Sequence, residues 1–117
     1  MHKILIVEDD LPMTRLLQTF LSLEGFQAIS TPQPGAVLNL ARQEKPDLVV
    51  MDLHLGHVKT LSILAEFKSD PVLKATPVIV VSGLEAEEEC ARAGADAFLL
   101  KPYSPNALVE MMKALVK

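Results

Sequence analysis

Four short runs in this chain are apolar at every position: Ile4–Val7, Leu48–Met51, Val78–Val81 and Ala97–Leu100. A strand with no polar alternation has no face to offer water, so it must be covered on both sides. The segments between these runs supply the cover. Met13, Leu16, Leu17, Phe20 and Leu21 recur at i, i+3, i+4, i+7 and i+8, the spacing of one helix face. Asp10 suits the N-cap of that helix, Pro12 its first turn, and Gly25 its left-handed end. Val37, Leu40 and Ala41 mark a second helix ending near Glu44, before Pro46. Leu61, Leu64 and Ala65, with Phe67 and Lys68, mark a third, broken at Asp70-Pro71. Leu84–Ala93 reads as a short fourth helix closed by Gly94, and Ser104-Pro105 opens a fifth carrying Leu108, Met111, Met112 and Leu115. Phe26–Ser30 completes the set as a strand, Thr31–Gly35 is a turn, and Gly56–Lys59 reads as a loop.

Strand and helix thus alternate five times. Strands joined through helices run parallel, with right-handed crossovers and helices on both faces. The expected fold is α/β: a three-layer, doubly wound, five-stranded parallel sheet, flavodoxin-like in its order 2-1-3-4-5, with (βα)5 connectivity and a shortened fourth helix. The 117 residues suit one domain, 1–117, with one core.

Asp52 closes the third apolar run. An aspartate after a strand is often just a turn cap, but ligands of open α/β sheets bind beyond the carboxyl ends of the strands. The other ends are polar too: Glu8 and Asp9 after the first strand, Ser82 after the fourth and Lys101 after the fifth. In a parallel sheet these groups meet on one edge. Clustered carboxylates repel unless a cation relieves them. Mg²⁺ needs one or two carboxylates and leaves room for phosphate oxygens. A lysine and a hydroxyl beside it suit a phosphoryl group, with a carboxylate as nucleophile.

Other chemistries find less support. Glu8-Asp9-Asp10-Leu11-Pro12 stands where a phosphate-binding glycine loop would follow the first strand. His54 and His57 sit in an expected loop with no thiol beside them, so solvated histidines are the simpler reading. Cys90, the single cysteine, reads as a small helix-facing residue, and the composition fits a reducing, cytoplasmic setting. The net charge of −4 and the lack of a basic cluster argue against direct nucleic-acid binding. The apolar stretch at the N-terminus is too short for a membrane segment.

ILIVEDD, PDLVVMDLHL, TPVIVVSG and GADAFLLKPYS, in this order and spacing, resemble the receiver domain of two-component response regulators, single-domain chemotaxis-type regulators among them. The resemblance spans nearly the whole chain. It implies that Asp52 accepts a phosphoryl group from a sensor histidine kinase or histidine phosphotransfer protein. It implies that Glu8, Asp9 and Asp52, with the backbone carbonyl of His54, hold Mg²⁺. Ser82 and Lys101 would contact the phosphate, and Ser82 and Phe98 would form the switch. The Lys101–Pro102 bond is usually cis in this family. The output would pass through the face around the fourth helix, fifth strand and fifth helix. It would reach a downstream effector protein, or a fused output domain absent from a chain that ends at Lys117.

The chain departs from the family pattern in places. Gly56 replaces a usual proline and Thr60 a usual glycine, so the loop beside Asp52 is expected to differ or to move more. Ser82–Lys101 is about one helical turn short, and its Glu85, Glu87, Glu88 and Glu89 suggest altered contacts through the output face. His54 and Leu84 occupy positions that tune phosphoryl lifetime in the family. Two other readings stand beside the switch. One is a receiver-like interaction module that is never phosphorylated. The other is a small phosphatase-like enzyme, disfavoured because His54 replaces its usual second aspartate and no cap domain is present.

Overall fold

A computed structural model describes residues 1–116. Five strands, β1 (Lys3–Val7), β2 (Gln27–Thr31), β3 (Leu48–Asp52), β4 (Val78–Ser82) and β5 (Ala97–Leu100), form one parallel sheet in the order β2-β1-β3-β4-β5. Helices α1 (Leu11–Leu23), α2 (Val37–Glu44), α3 (Leu61–Ser69), α4 (Glu87–Arg92) and α5 (Pro105–Leu115) connect and cover it. The expected fold class and strand order are both present.

The period-two geometry of each strand divides its apolar residues between two layers. Leu5, Val7, Val49, Met51, Val78 and Val80 pack with Val37, Ala41, Leu64, Phe67 and Cys90, under α2, α3 and α4. Ile4, Ile6, Leu48, Val50, Ile79 and Val81 pack with Leu17, Leu21, Leu108, Val109 and Met112, under α1 and α5. Both central strands, β3 and β4, are buried at every position, which is why their sequences show no alternation. Among the described residues no helix is long and apolar enough to cross a membrane.

Capping follows the expected chemistry. Asp10 accepts the Met13 N–H at the start of α1, and Ser104 accepts the Ala107 N–H at the start of α5. Gly25, at φ +90°, follows the end of α1.

Five local expectations need correction. β2 starts and ends one residue later than Phe26–Ser30, and β4 ends at Ser82 rather than Val81, because each ladder continues into a polar residue. Leu16 is 55% exposed and Ala65 is also exposed, so the buried stripes of α1 and α3 are narrower than their sequences suggest. The loop at Gly56–Lys59 belongs to a tight hairpin, His54–Leu55 against Val58–Lys59, with Gly56 at φ +58° in the turn. Gly at the first turn position is what a type II′ hairpin requires.

The fifth correction is α4, which spans only Glu87–Arg92 rather than Leu84–Ala93. The Ser82 hydroxyl accepts the Leu84 N–H at 3.0 Å, so the chain leaves β4 through a serine turn instead of a helix. Ala86 then offers no side-chain cap. Packing of the buried Cys90 holds this short helix, since a segment of that length is not stable alone.

Gly94 ends the turn after α4 at φ +110°, and a Cβ there would lie 2.7 Å from Lys68 Cγ. Lys68 cannot easily yield, because its Nζ bridges Asp96 at 2.7 Å and the Thr76 carbonyl at 2.8 Å. Gly94→Ala should therefore destabilise the fold by about 1–3 kcal/mol, read as a lower urea midpoint at unchanged slope.

Candidate functional site

Parallel pairing brings the carboxyl ends of β1, β3, β4 and β5 to one edge. Asp52 lies opposite Val81, and Ser82 opposite Leu100. Glu8 follows β1, and Lys101 follows β5. Lys101 Nζ sits 2.6 Å from Asp52 Oδ2 and 3.5 Å from Glu8 Oε1. Glu8 is 5% exposed and Asp52 7%, so the ammonium neutralises two buried carboxylates that would otherwise be costly to desolvate.

Burial, then the charge of Asp52, pushes Glu8 above the ordinary glutamate range, against the opposing pull of the Asp10 N–H and Lys101. Burial by itself would lower the Lys101 amine. The hydrogen bond and charge of Asp52, with the charge of Glu8, outweigh that and hold it above its ordinary value. The remaining Glu8 oxygen, Oε2, accepts the N–H groups of Asp9 and Asp10 at 3.0 and 3.3 Å, which orients the chain entering α1.

The other sequence-predicted residues stand around this triad. Asp9 is exposed and turned to the hairpin, where its Oδ2 accepts the Gly56 N–H at 2.8 Å. Asp52 Oδ1 accepts the His54 N–H at 3.1 Å. Ser82 is buried, with its hydroxyl engaged by Leu84. Phe98, opposite Val80 on β5, is half-buried against the α4 side of the core. The Lys101–Pro102 peptide is cis.

The structure thus joins Glu8, Asp52 and Lys101 directly, while Asp9 reaches the group through the hairpin. Among the described residues no three acidic, histidine or cysteine side chains converge as a ready metal cage. Of the three carboxylates expected to share one cleft, Glu8 and Asp52 both pair with Lys101 and Asp9 stands at the rim. This arrangement still fits a hard cation that uses one or two carboxylates and retains waters. It does not fit zinc, whose sites close with nitrogen and sulfur ligands.

The hairpin adds a candidate carbonyl. Thr60 N–H donates to the Leu53 carbonyl at 2.8 Å, so the intervening His54–Lys59 pair is the non-hydrogen-bonded kind. Both backbone polar groups of His54 then face away from the partner arm, on the side where its N–H meets Asp52. Glu8, Asp9, Asp52 and the His54 carbonyl could together hold Mg²⁺.

Two features of the site had no clear signal in the sequence. Thr60 is 1% exposed, and its hydroxyl lies 2.8 Å from the Asp52 carbonyl and 3.1 Å from that of Leu53. Tyr103 is also raised above its ordinary phenol value, chiefly by burial. It lines, with Met13, Leu16, Leu17, Pro102 and Pro105, an apolar hollow of about 420 Å³ that reaches Lys101. Only the departure of Thr60 from a usual glycine hinted at the first.

Comparison with known proteins places this geometry. Residues 4–113 match the response regulator receiver domain. The polar-differentiation response regulator DivK of Brucella anthropi is 32% identical over 114 residues, covering 95% of this chain and 93% of that protein. The receiver domain of a signal transduction histidine kinase from Syntrophus aciditrophicus superposes with a TM-score of 0.87 at 26% identity, covering 98% of this chain and 89% of that one. The receiver domain of the Pseudomonas aeruginosa sensor histidine kinase PA1611, with a magnesium ion coordinated in its active-site cleft, shares the fold with a TM-score of 0.87 at 21% identity, covering 97% of this chain and 96% of that one.

The raised Glu8 carboxyl sets a pH signature. Ionising it costs the metal-free fold stability above its folded pKa, and that cost is relieved as pH falls through that value. A proton on Glu8 also competes with a cation. Mg²⁺ affinity should weaken as pH falls into the ordinary glutamate range, with the loss starting above that range. Calorimetric titration across that window should show the dependence, and Glu8→Gln should flatten it.

Proposed function

This chain belongs to the response regulator receiver domain family, and we propose that it is a phosphorylation-dependent switch whose phosphoacceptor is Asp52. The observation that carries the reading is the ion pair of Lys101 with Asp52 at the shared edge of the strands, beside Glu8. Asp52 offers a carboxylate nucleophile held in place at both oxygens, by the His54 N–H and by Lys101. When the donor is a phosphohistidine, a P–O bond to Asp52 forms as the P–N bond breaks. The donor imidazole leaves with the electron pair and takes up a proton. Hydrolysis by water returns Asp52 and inorganic phosphate, so the chemistry is confined to self-phosphorylation and autodephosphorylation.

Lys101 is placed to pass from the carboxylate to a phosphoryl oxygen as a point charge. Ser82 would rotate its hydroxyl from the Leu84 N–H toward the phosphate. That exchanges one hydrogen bond of about 1 kcal/mol for a charge-assisted one. Phe98 would follow into the space vacated, a change between discrete packed states. Mg²⁺ bound at Glu8, Asp9, Asp52 and the His54 carbonyl would supply charge neutralisation for the phosphoryl oxygens. The magnesium in the cleft of the PA1611 receiver supports this assignment by analogy of fold.

Two surfaces suit the two partners. A histidine kinase or phosphotransfer protein must bring its phosphohistidine to Asp52, and so must cover the rim beside Lys101. The apolar hollow there, together with Leu11 and Leu16, each more than half exposed, is suited to that contact. On the other side, the short α4 leaves an open groove of about 610 Å³ lined by Glu85, Arg92, Phe98 and Leu100. It lies where a downstream effector would sense Phe98. In phosphorylation by acetyl phosphate with Mg²⁺, the parent protein should gain one phosphoryl group by intact mass, and Asp52→Ala none. Absence of that gain, with beryllofluoride also failing to bind, would instead favour an interaction module that is never phosphorylated.

A further inference from the structure

We propose that Thr60 is the positioning residue of this site, an inference that rests on the receiver reading of Glu8, Asp9 and Asp52. Its side chain is buried, so its hydroxyl proton must find an acceptor, and the carbonyls of Asp52 and Leu53 stand at 2.8 and 3.1 Å. Its N–H donates to Leu53 as well. One residue therefore closes the Leu53–Thr60 hairpin through both backbone and side chain, at the point where the chain leaves the phosphoacceptor strand.

The N–H groups that contact the Asp52 and Asp9 carboxylates both lie inside that closed hairpin. His54 N–H reaches Asp52 Oδ1 at 3.1 Å, and Gly56 N–H reaches Asp9 Oδ2 at 2.8 Å. The second contact needs a residue other than proline at position 56, since proline has no N–H to donate. Gly56 also stands at φ +58°, in the left-handed region. A hairpin built on glycine has little stiffness of its own, and the Thr60 hydroxyl supplies the closure. Thr60 thereby aims donors at two carboxylates through the backbone, with its own hydroxyl on the Asp52 and Leu53 carbonyls. Lys59 braces the same arm from outside through a 2.7 Å pair with Glu89 of α4.

The test compares the parent protein with Thr60→Ser, Thr60→Val and Thr60→Ala. Mg²⁺ affinity is read by calorimetry, and the amide proton shifts of His54 and Gly56 by NMR. Val keeps the shape and loses the hydroxyl, Ala loses both without added bulk, and Ser keeps the hydroxyl. Removing a group that orients metal ligands from outside the first shell costs at least about tenfold in affinity. Val and Ala should each lose that factor and move both amide signals upfield, and Ser should restore parent behaviour. Should Val not fold, Ala carries the comparison. Folded Val or Ala protein that binds Mg²⁺ within about twofold of the parent and keeps both amide shifts would overturn the role of Thr60 alone. A parent protein that binds no Mg²⁺ would overturn the receiver reading on which it rests.

Discussion

Everything at the carboxyl edge of the sheet depends on one ammonium between two buried carboxylates. Glu8 and Asp52 are each more than nine-tenths buried. Two such groups side by side would neutralise by protonation or push apart. Lys101 meets both, and the resulting shifts run in opposite directions in charge terms: Glu8 is driven toward its neutral form, while Lys101 is held in its charged form. The strand ends can therefore stay together without a ligand. The same balance leaves the edge poised, because an incoming phosphoryl group offers Lys101 a stronger partner than a carboxylate, and a cation offers Glu8 relief.

The geometry that delivers these groups is conventional for a doubly wound sheet; what surrounds Asp52 is particular, since the topology does not dictate it. A short hairpin with glycine in its turn and a buried threonine at its base stands beside the acceptor. The hairpin turns Asp9 outward, so this acid is reached through a backbone N–H instead of through the central ion triad. A cation would gather a pair of buried carboxylates with a third acid at the rim. That is compatible with Mg²⁺, which holds few protein ligands and keeps its waters.

The opposite flank is equally particular. A serine turn takes the place of the first helical turn of α4, and a groove opens beside Phe98. Lys59 on the hairpin pairs with Glu89 on α4, so the element beside the acceptor and the element beside the groove are in direct contact. The pair is half exposed and contributes little energy by itself. It nonetheless joins the hairpin beside the acceptor to the short helix beside the groove.

The sequence by itself determined the architecture. Three of the four runs without alternation became the interior strands β1, β3 and β4, the fourth became the half-buried edge strand β5, and the helical stripes between them force parallel order. It also located Glu8, Asp9, Asp52, Ser82 and Lys101, because a parallel sheet collects its strand ends whatever the detailed packing. It was silent where the outcome turned on single hydrogen bonds between distant or non-periodic groups. Gly56–Lys59 has the composition of a loop, and only the Thr60 closure and the Asp9 contact make it a hairpin. Leu84–Ala93 has helical composition, but the Ser82 hydroxyl captures the Leu84 N–H and delays the helix. Leu16 fits the stripe of α1 by spacing, yet it stands more than half exposed at the hollow it lines with Tyr103. Periodicity records which face a residue lies on. How far the core extends beneath that face, and which acceptor a lone N–H or hydroxyl finds, is decided by tertiary packing.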